Sequence, residues 1–419
     1  MPSTGENRIV ETTFVSTFRN DKNQLKTIMF NFIPVSHRIG IQTLMLIPFL
    51  CSVTASFVWA QQKEKIAFKP YFVAAESFES VGVIDVNNDG KPDLVSGDFY
   101  YLNEGDATTL FRKRHRLGHQ PAFGEYFDDF ATIPLDVNQD GRTDFVTGGW
   151  FGGALRWHEN PGANEQWPAH EIAKVGNVET VRAWDLDNDG QVEIVPNTPN
   201  SPLHYFKLEG PGKFVRYEVG EYKSHGLGFG DINGDGKGDL IVKNGWIENK
   251  GNDQWVFHPD FDMGAHASIP IIVTDLNGDG KNDLIAGTAH DYGIYWYEQQ
   301  IGANGKRSFK KHLIDDTASQ YHELVWADIT GDGKPELITG KRYRAHNDGD
   351  PGAHDDVGLY YFTWDGKSFT KHSIAYGPPG IGKGTGIYMQ VADLRGSGRN
   401  DVIVAGKDGL WVFFNEGHK

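Results

Sequence analysis

Short apolar runs separated by polar turns recur along this chain in one fixed order. A first run, such as Val81-Gly-Val-Ile84 or Ile271-Ile-Val273, leads into an acidic loop. A second follows the loop, as in Leu240-Ile-Val242 and Leu284-Ile-Ala286. A glycine-bearing turn then opens an aromatic run: Ala154-Leu-Arg-Trp157, Ile294-Tyr-Trp-Tyr297, Leu359-Tyr-Tyr-Phe362 or Leu410-Trp-Val-Phe-Phe414. A fourth segment often places histidine before an aliphatic residue, as in Trp167-Pro-Ala-His170-Glu-Ile172, Phe309-Lys-Lys-His312-Leu-Ile314 and Phe369-Thr-Lys-His372-Ser-Ile374. Runs this short, bounded by turn residues, read as strands, four to a unit.

The units number seven. Their first loop aspartates, Asp85, Asp136, Asp185, Asp231, Asp275, Asp328 and Asp393, lie 51, 49, 46, 44, 53 and 65 residues apart. That period suits a four-stranded propeller blade of about 40–50 residues. The expected fold is all-β: a seven-bladed β-propeller of four-stranded antiparallel blades over residues 61–419, preceded by a leader at 1–60.

The loops carry their own chemistry. Oxygen ligands at positions 1, 3 and 5, a glycine at position 6 and an acid at position 9 suit a hard cation with six to eight oxygen ligands, as calcium has. The first set is Asp85, Asn87, Asp89 and Asp93; the second is Asp136, Asn138, Asp140 and Asp144. Asp185, Asp187, Asp189 and Glu193 form the third, then Asp231, Asn233, Asp235 and Asp239, and then Asp275, Asn277, Asp279 and Asp283. The sixth, Asp328, Thr330, Asp332 and Glu336, is the weakest of the six expected calcium sites. The seventh places Arg395 where a ligand belongs, so its guanidinium is expected to take the charge role instead. The competing reading of any single loop is an Asp/Asn turn that satisfies its own backbone.

With the Asp-x-Asn-x-Asp-Gly-x-x-Asp loop repeated in register, the chain resembles the FG-GAP/VCBS repeat family, the blade type of integrin α heads, over roughly residues 75–415. The resemblance implies a β-propeller with structural calcium between the first two strands of a blade. Ser224-His225-Gly-Leu-Gly-Phe-Gly-Asp231 and Gly340-Lys-Arg-Tyr-Arg-Ala-His346 look like phrases of exported bacterial propellers. A more distant likeness is to the propellers of aldos-2-ulose dehydratase/isomerase enzymes and of rhamnogalacturonan lyases.

The formal charge of −16 is concentrated in these loops, and its sign argues against a nucleic-acid surface. From Ile39 to Ala60 no residue is charged, and Val58-Trp-Ala60 and Val53-Thr-Ala55 resemble signal-peptidase sites. Residues 1–28 look polar and patternless, and Met29 would be a more usual signal-peptide start. The expectation is an exported domain, secreted, periplasmic or at the cell surface. It would touch membrane only through the leader, if that is an uncleaved anchor. The only cysteine, Cys51, lies in the leader, so no disulfide staples the domain. A monomer is expected.

Sixteen histidines call for sorting. His170, His312 and His372 share a fourth-strand slot, with His258 and His115 near it, and belong to the blade. His225, His266, His290, His322, His346 and His354 do not recur. Six residues before each first aspartate stand Glu79, Phe130, Glu179, His225, Ile269, His322 and Ile387, where innermost strands should converge on a channel mouth. The expected ligand-binding set is Glu79, Glu179, His225, His266, His290, His322, Arg344, His346, His354 and Lys383. Trp246, Tyr292, Trp296 and Tyr321 are candidate stacking surfaces.

Three functions stay open: a carbohydrate-binding pocket, a lyase or dehydratase, and a protein-docking disc for adhesion. The lyase or dehydratase would use His225 or His322 as base and Tyr292 or Tyr321 as acid, with a further divalent ion held by histidines. No Gly-x-Ser-x-Gly, His-Glu-x-x-His or phosphate-binding loop appears; Gly382-Lys383-Gly384-Thr385 lacks the required upstream glycine.

Overall fold

The computed structural model describes residues 65–105, 110–162 and 166–418, together with two strands near the start. The chain divides between Ala60 and Gln61 into two units. In the first, Val15–Arg19 pairs antiparallel with Leu25–Met29, with Thr17 in register with Thr27, so the stretch read as patternless carries two paired strands. The uncharged leader segment and its cleavage motifs lie outside the described residues.

In the second unit, seven four-stranded antiparallel sheets follow one another. Their innermost strands are Gly82–Ile84, Ile133–Leu135, Thr180–Trp184, Leu227–Gly230, Ile272–Thr274, Leu324–Ala327 and Gln390–Ala392. Six of the seven neighbouring pairs of these strands make close contacts, the last with the first among them, so the sheets form a closed ring. Every residue of every second strand is buried, which is why those runs read as continuously apolar. Among the described residues the one helical segment is the 3-10 turn Ala345–Asp348.

One strand falls outside the repeat grammar. Ile66–Ala74, which precedes the first unit, supplies the outer strand of the seventh sheet by pairing with Leu410–His418. Phe72 lies opposite Trp411, with ring centroids 5.0 Å apart. The two ends of the domain are thereby hydrogen-bonded into one blade.

The fourth-strand histidines serve the blades. His115, His170, His258, His312 and His372 stack on Tyr100, Trp157, Trp246, Trp296 and Tyr361 of their third strands at 4.2–4.8 Å. Three of them also bond an acid through Nε2: His170 to Glu159 (2.8 Å), His258 to Glu248 (2.9 Å) and His312 to Glu298 (2.8 Å).

The ninth loop position does more than close a turn. Asp93 accepts the Val86 amide on Oδ2 (3.0 Å) and the Asn103 amide on Oδ1 (2.6 Å). Asn103 Nδ2 then donates to Leu394 O in the neighbouring blade (2.7 Å). The same relay runs from Asp144 through Asn160 to Val86, from Asp239 through Asn249 to Leu186, and from Asp283 through Gln299 to Ile232. It persists in the seventh blade, from Asp401 through Asn415 to Ile329, although that loop departs from the calcium pattern. Glu193 and Glu336 bond within their own blades: Glu193 accepts a loop amide, and Glu336 accepts two loop amides and the Thr330 hydroxyl (3.0 Å). A ninth-position aspartate is therefore an inter-blade staple in its own right.

Because the relay is buried, removing its bridging amide leaves a carbonyl unsatisfied. Asn249→Ala should lower unfolding stability by about 1–3 kcal/mol. Asp401→Ala should cost as much as Asp239→Ala in calcium-free buffer. Urea denaturation checks both, and a wild-type midpoint for Asn249→Ala would refute the staple.

Candidate channel-mouth site

Closure of the ring brings the innermost strands' leading residues together from distant parts of the chain. Glu79, Phe130, Glu179, His225, Ile269, His322 and Ile387 are all buried. Glu179 of the third blade meets His322 of the sixth, with Oε1 2.8 Å from Nε2. His225 Nε2 stands 3.7 Å from the same oxygen and 2.9 Å from His290 Nε2. His290 Nδ1 lies 3.1 Å from Asp350, which also bonds His346 Nδ1 (2.8 Å) and Gln320 Nε2 (3.1 Å). The His346 ring stacks on His290 at 4.3 Å. The exposed ring of His266 meets His225 and His290 edge-on at 5.6 and 5.0 Å.

Charge is balanced across the axis. Arg342 donates through Nε to Glu79 (2.9 Å), its Nη2 lies 2.7 Å from the same carboxylate, and its Nη1 is 3.7 Å from Glu179. Lys407 Nζ approaches Glu79 at 3.6 Å. Deeper in the channel, Arg182 of the third blade pairs with Glu323 of the sixth. Burial raises the Glu323 carboxyl to about 7, against the opposing pull of Arg182.

Burial also sets the histidines' state. It pushes His322 down to about 3 despite Glu179, and His290 down to about 4 despite Asp350, so both rings are neutral near pH 7. Burial works against the charge of Glu179, yet the facing rings of His225 and His322 hold its carboxyl well below the usual range. Asp350 is likewise held low: burial opposes its charge, and His290, His346 and Gln320 outweigh it.

Several sequence expectations need correcting. Tyr292 does not join the histidines; it is 37% exposed and donates to Asp355. His354 is exposed and takes no part in these hydrogen bonds. Lys383 is buried against Asp408, and Arg344 is drawn to Glu125 (2.6 Å) and Asp348 (3.4 Å). Trp246, Trp296 and Tyr321 are blade core, since their faces or hydroxyls are committed to His258, His312 and Asp315.

The aromatic wall of the mouth comes from elsewhere. Tyr126, Phe130, Trp150 and Phe151, with Glu179, Arg342, His346 and Asn347, enclose a cavity of about 270 Å³. Tyr126 sits on an extra hairpin, Ala122–Phe123 with Tyr126–Phe127, inserted between the first two blades. The aromatic cluster at 123–127 was the available signal, but Phe130 alone fell on the counted position. Arg344, His346, Asn347 and Asp348 all have positive φ, a backbone region costing about 1–2 kcal/mol per residue. The bonds His346–Asp350 and Lys407 Nζ to Arg344 O (2.7 Å) hold this turn over the cavity. Two other concavities, of about 440 and 510 Å³, lie between acidic loops of adjacent blades and hold no histidine cluster.

Residues 136–195 and 275–339 each match the family model of FG-GAP-like repeats. This chain is an FG-GAP-repeat β-propeller. No curated protein matches the sequence. Among solved structures, BBS1N in its complex with ARL6DN, in a mercury-soaked crystal, is similar over 84% of this chain and 97% of its own. The identity there is 11% and the TM-score 0.50. A lead-soaked crystal of the same complex gives 10% identity and a TM-score of 0.47, covering 84% and 98%. The Tc holotoxin pore of Photorhabdus luminescens gives 17% identity and 0.36, covering 83% of this chain and 14% of its own. Likeness at such identity concerns the fold alone, and nothing in it links this FG-GAP propeller to the aldos-2-ulose enzymes.

Breaking the axial ion pair should be costly, because Arg342 and Glu79 are only 2–3% exposed. Arg342→Met strands two buried carboxylates and should lose about 3–5 kcal/mol in urea unfolding. Arg344→Met, at a pair that is 40% exposed, should change stability by less than about 1 kcal/mol. Equal effects would contradict this account of the channel.

Proposed function

We propose that this FG-GAP propeller is an exported ligand-binding module whose channel mouth takes a carbohydrate. The observation that carries the reading is the pairing of an aromatic wall with charged groups around one cavity. Trp150 and Phe151 offer faces to the apolar side of a sugar ring, and Arg342, Glu179 and Asn347 line the same cavity with donors and acceptors for its hydroxyls. At about 270 Å³ the cavity lies near the lower end of small-molecule pockets, roughly 300–1,000 Å³, so it suits a single terminal or branching unit. Phe151 is 46% exposed and stacks against Phe123 at 5.4 Å, extending the wall outward for a second unit.

Glycan-array screening of the purified protein should yield saturable binding. Phe151→Ala should weaken it about tenfold, the equivalent of about 1.4 kcal/mol for one lost stacking face. An array with no hits, or unchanged affinity in Phe151→Ala, would sink the reading. Release of an unsaturated sugar would replace it with lyase chemistry.

Structural calcium belongs to the same proposal. In the third loop, oxygens of Asp185, Asp187 and Glu193 lie within 4.8 Å of one another. That spacing fits a cation with oxygen ligands. Fifth-position acids pair with seventh-position bases, as Asp89 does with Lys91 (2.9 Å) and Asp235 with Lys237 (3.7 Å); calcium would displace these exposed contacts. In the seventh loop Arg395 reaches Asp401 at 3.4 Å and Glu416 at 2.9 Å, a cation already in place.

A calcium chelator should therefore lower the melting temperature, with recovery on adding calcium. Native-state binding at a hundredfold excess over Kd is worth about 2.7 kcal/mol per site. Asp235→Ala should abolish more of that calcium response than Asp393→Ala. A transition indifferent to chelator would leave the loops as plain turns.

A further inference from the structure

The inner histidines pose a problem that hydrogen bonding within the protein does not solve. His225 Nδ1 is 2.9 Å from Ala267 O, a carbonyl that can only accept, so this nitrogen carries the proton. His290 Nδ1 faces the Asp350 carboxylate at 3.1 Å and must carry its proton too. Each ring, when neutral, is left with a bare lone pair on Nε2, and those two nitrogens stand 2.9 Å apart. Two lone pairs at that distance repel unless a positive charge lies between them. Glu179 Oε1, 3.7 Å from His225 Nε2, aims negative charge at the same point. A cation belongs there, and it is either a proton or a metal ion.

The wider geometry decides between them. Nε2 of His225, His290 and His322 and a carboxylate oxygen of Glu179 all lie within 4.8 Å of one another, and all four residues are buried. Ligands about 2.0–2.1 Å from a tetrahedral ion stand about 3.3 Å apart. The separations of 2.8, 2.9 and 3.7 Å bracket that value. A shared proton uses two of these atoms; a tetrahedral ion uses all four. The outer shell is also built. Ala267 O and Asp350 fix two of the rings with Nε2 turned inward, the arrangement that orients imidazoles on a metal. His346 and Gln320 hold Asp350 in turn.

We infer that Glu179, His225, His290 and His322 form a tetrahedral site for a borderline transition-metal ion of the zinc class at the floor of the channel mouth. Three imidazoles and one carboxylate favour zinc over the hard cations suited to the acidic loops. His322 now places its Nε2 against Glu179, so metal binding displaces the proton between them to Nδ1 or to solvent. Glu179 also borders the aromatic cavity, which gives the ion a route in and puts it beside any bound ligand. The site stands apart from the sugar reading: a protein that binds zinc but no glycan, or glycan without zinc, separates the two.

The test uses the full-length chain, stripped of metal, returned to excess calcium and titrated with zinc. Binding should saturate at one zinc per chain. Asp350→Asn, a positioning change, should weaken it by about 10–100-fold, and loss of a ligand in His225→Gln should weaken it further. Cobalt loading of the wild-type chain should give the visible bands of a tetrahedral centre, a readout that stands even where a variant fails to fold. Absence of saturable zinc binding, an octahedral cobalt spectrum, or wild-type affinity in a folded His225→Gln would overturn the assignment. So would loss of binding in His346→Gln with full retention in His322→Gln, which would place the ion at the outer group His290, His346 and Asp350.

Discussion

The pairing of Ile66–Ala74 with Leu410–His418 is the constraint on which the rest of the molecule depends. Seven twisted sheets stacked face to face would otherwise leave the two end sheets each with an uncovered face, and nothing would oblige their innermost strands to meet. Antiparallel hydrogen bonds between the two ends of the domain turn the stack into a ring. The relay from ninth-position aspartate through asparagine or glutamine to the neighbouring blade then repeats the fastening at five of the junctions. Local loop chemistry and global closure thus share the same carboxylates.

Closure has an electrostatic consequence. Seven strand ends crowded around one axis bury whatever polar groups they carry, and buried charge is tolerated only when paired. The pairs formed here cross the ring: Arg182 with Glu323 joins the third and sixth blades and Arg342 with Glu79 joins the sixth and first, while the neutral His322 ring hydrogen-bonds Glu179 across the axis. The axis is therefore a network of compensated charges, surrounded by apolar blade interfaces. One poorly compensated point among them, the facing imidazole nitrogens of His225 and His290, lies at the mouth beside the cavity. The left-handed run His346–Asp348 closes over the same spot, so electrostatic frustration and backbone strain coincide there.

The histidines show how far periodicity can sort function from framework. Those repeating in the fourth-strand slot each lie flat on an aromatic ring of their own blade, a contact set by strand register and hence readable from spacing. His225, His290 and His322 have no such spacing. Counting back from the loop aspartates located His225 and His322 because every blade begins its innermost strand alike. His290 lies in a strand-to-strand loop whose path depends on the blade beside it. The same distinction explains the misplacements. Tyr292 and His354 sit near the cluster in sequence, but their segments turn outward toward Asp355 and solvent. Trp246, Trp296 and Tyr321 are drawn into the blade core by stacking or hydrogen-bond partners one strand away.

Spacing and hydropathy alone determined the all-β class, the number of blades, the four-strand unit and the loop grammar, because each is a local property repeated many times. Which aromatic groups line the mouth, how Glu79 and Arg342 find each other, and that the first strand completes the last blade were decided only by the tertiary structure. Those contacts join residues separated by as much as the whole domain, and ring geometry, not distance along the chain, selects them.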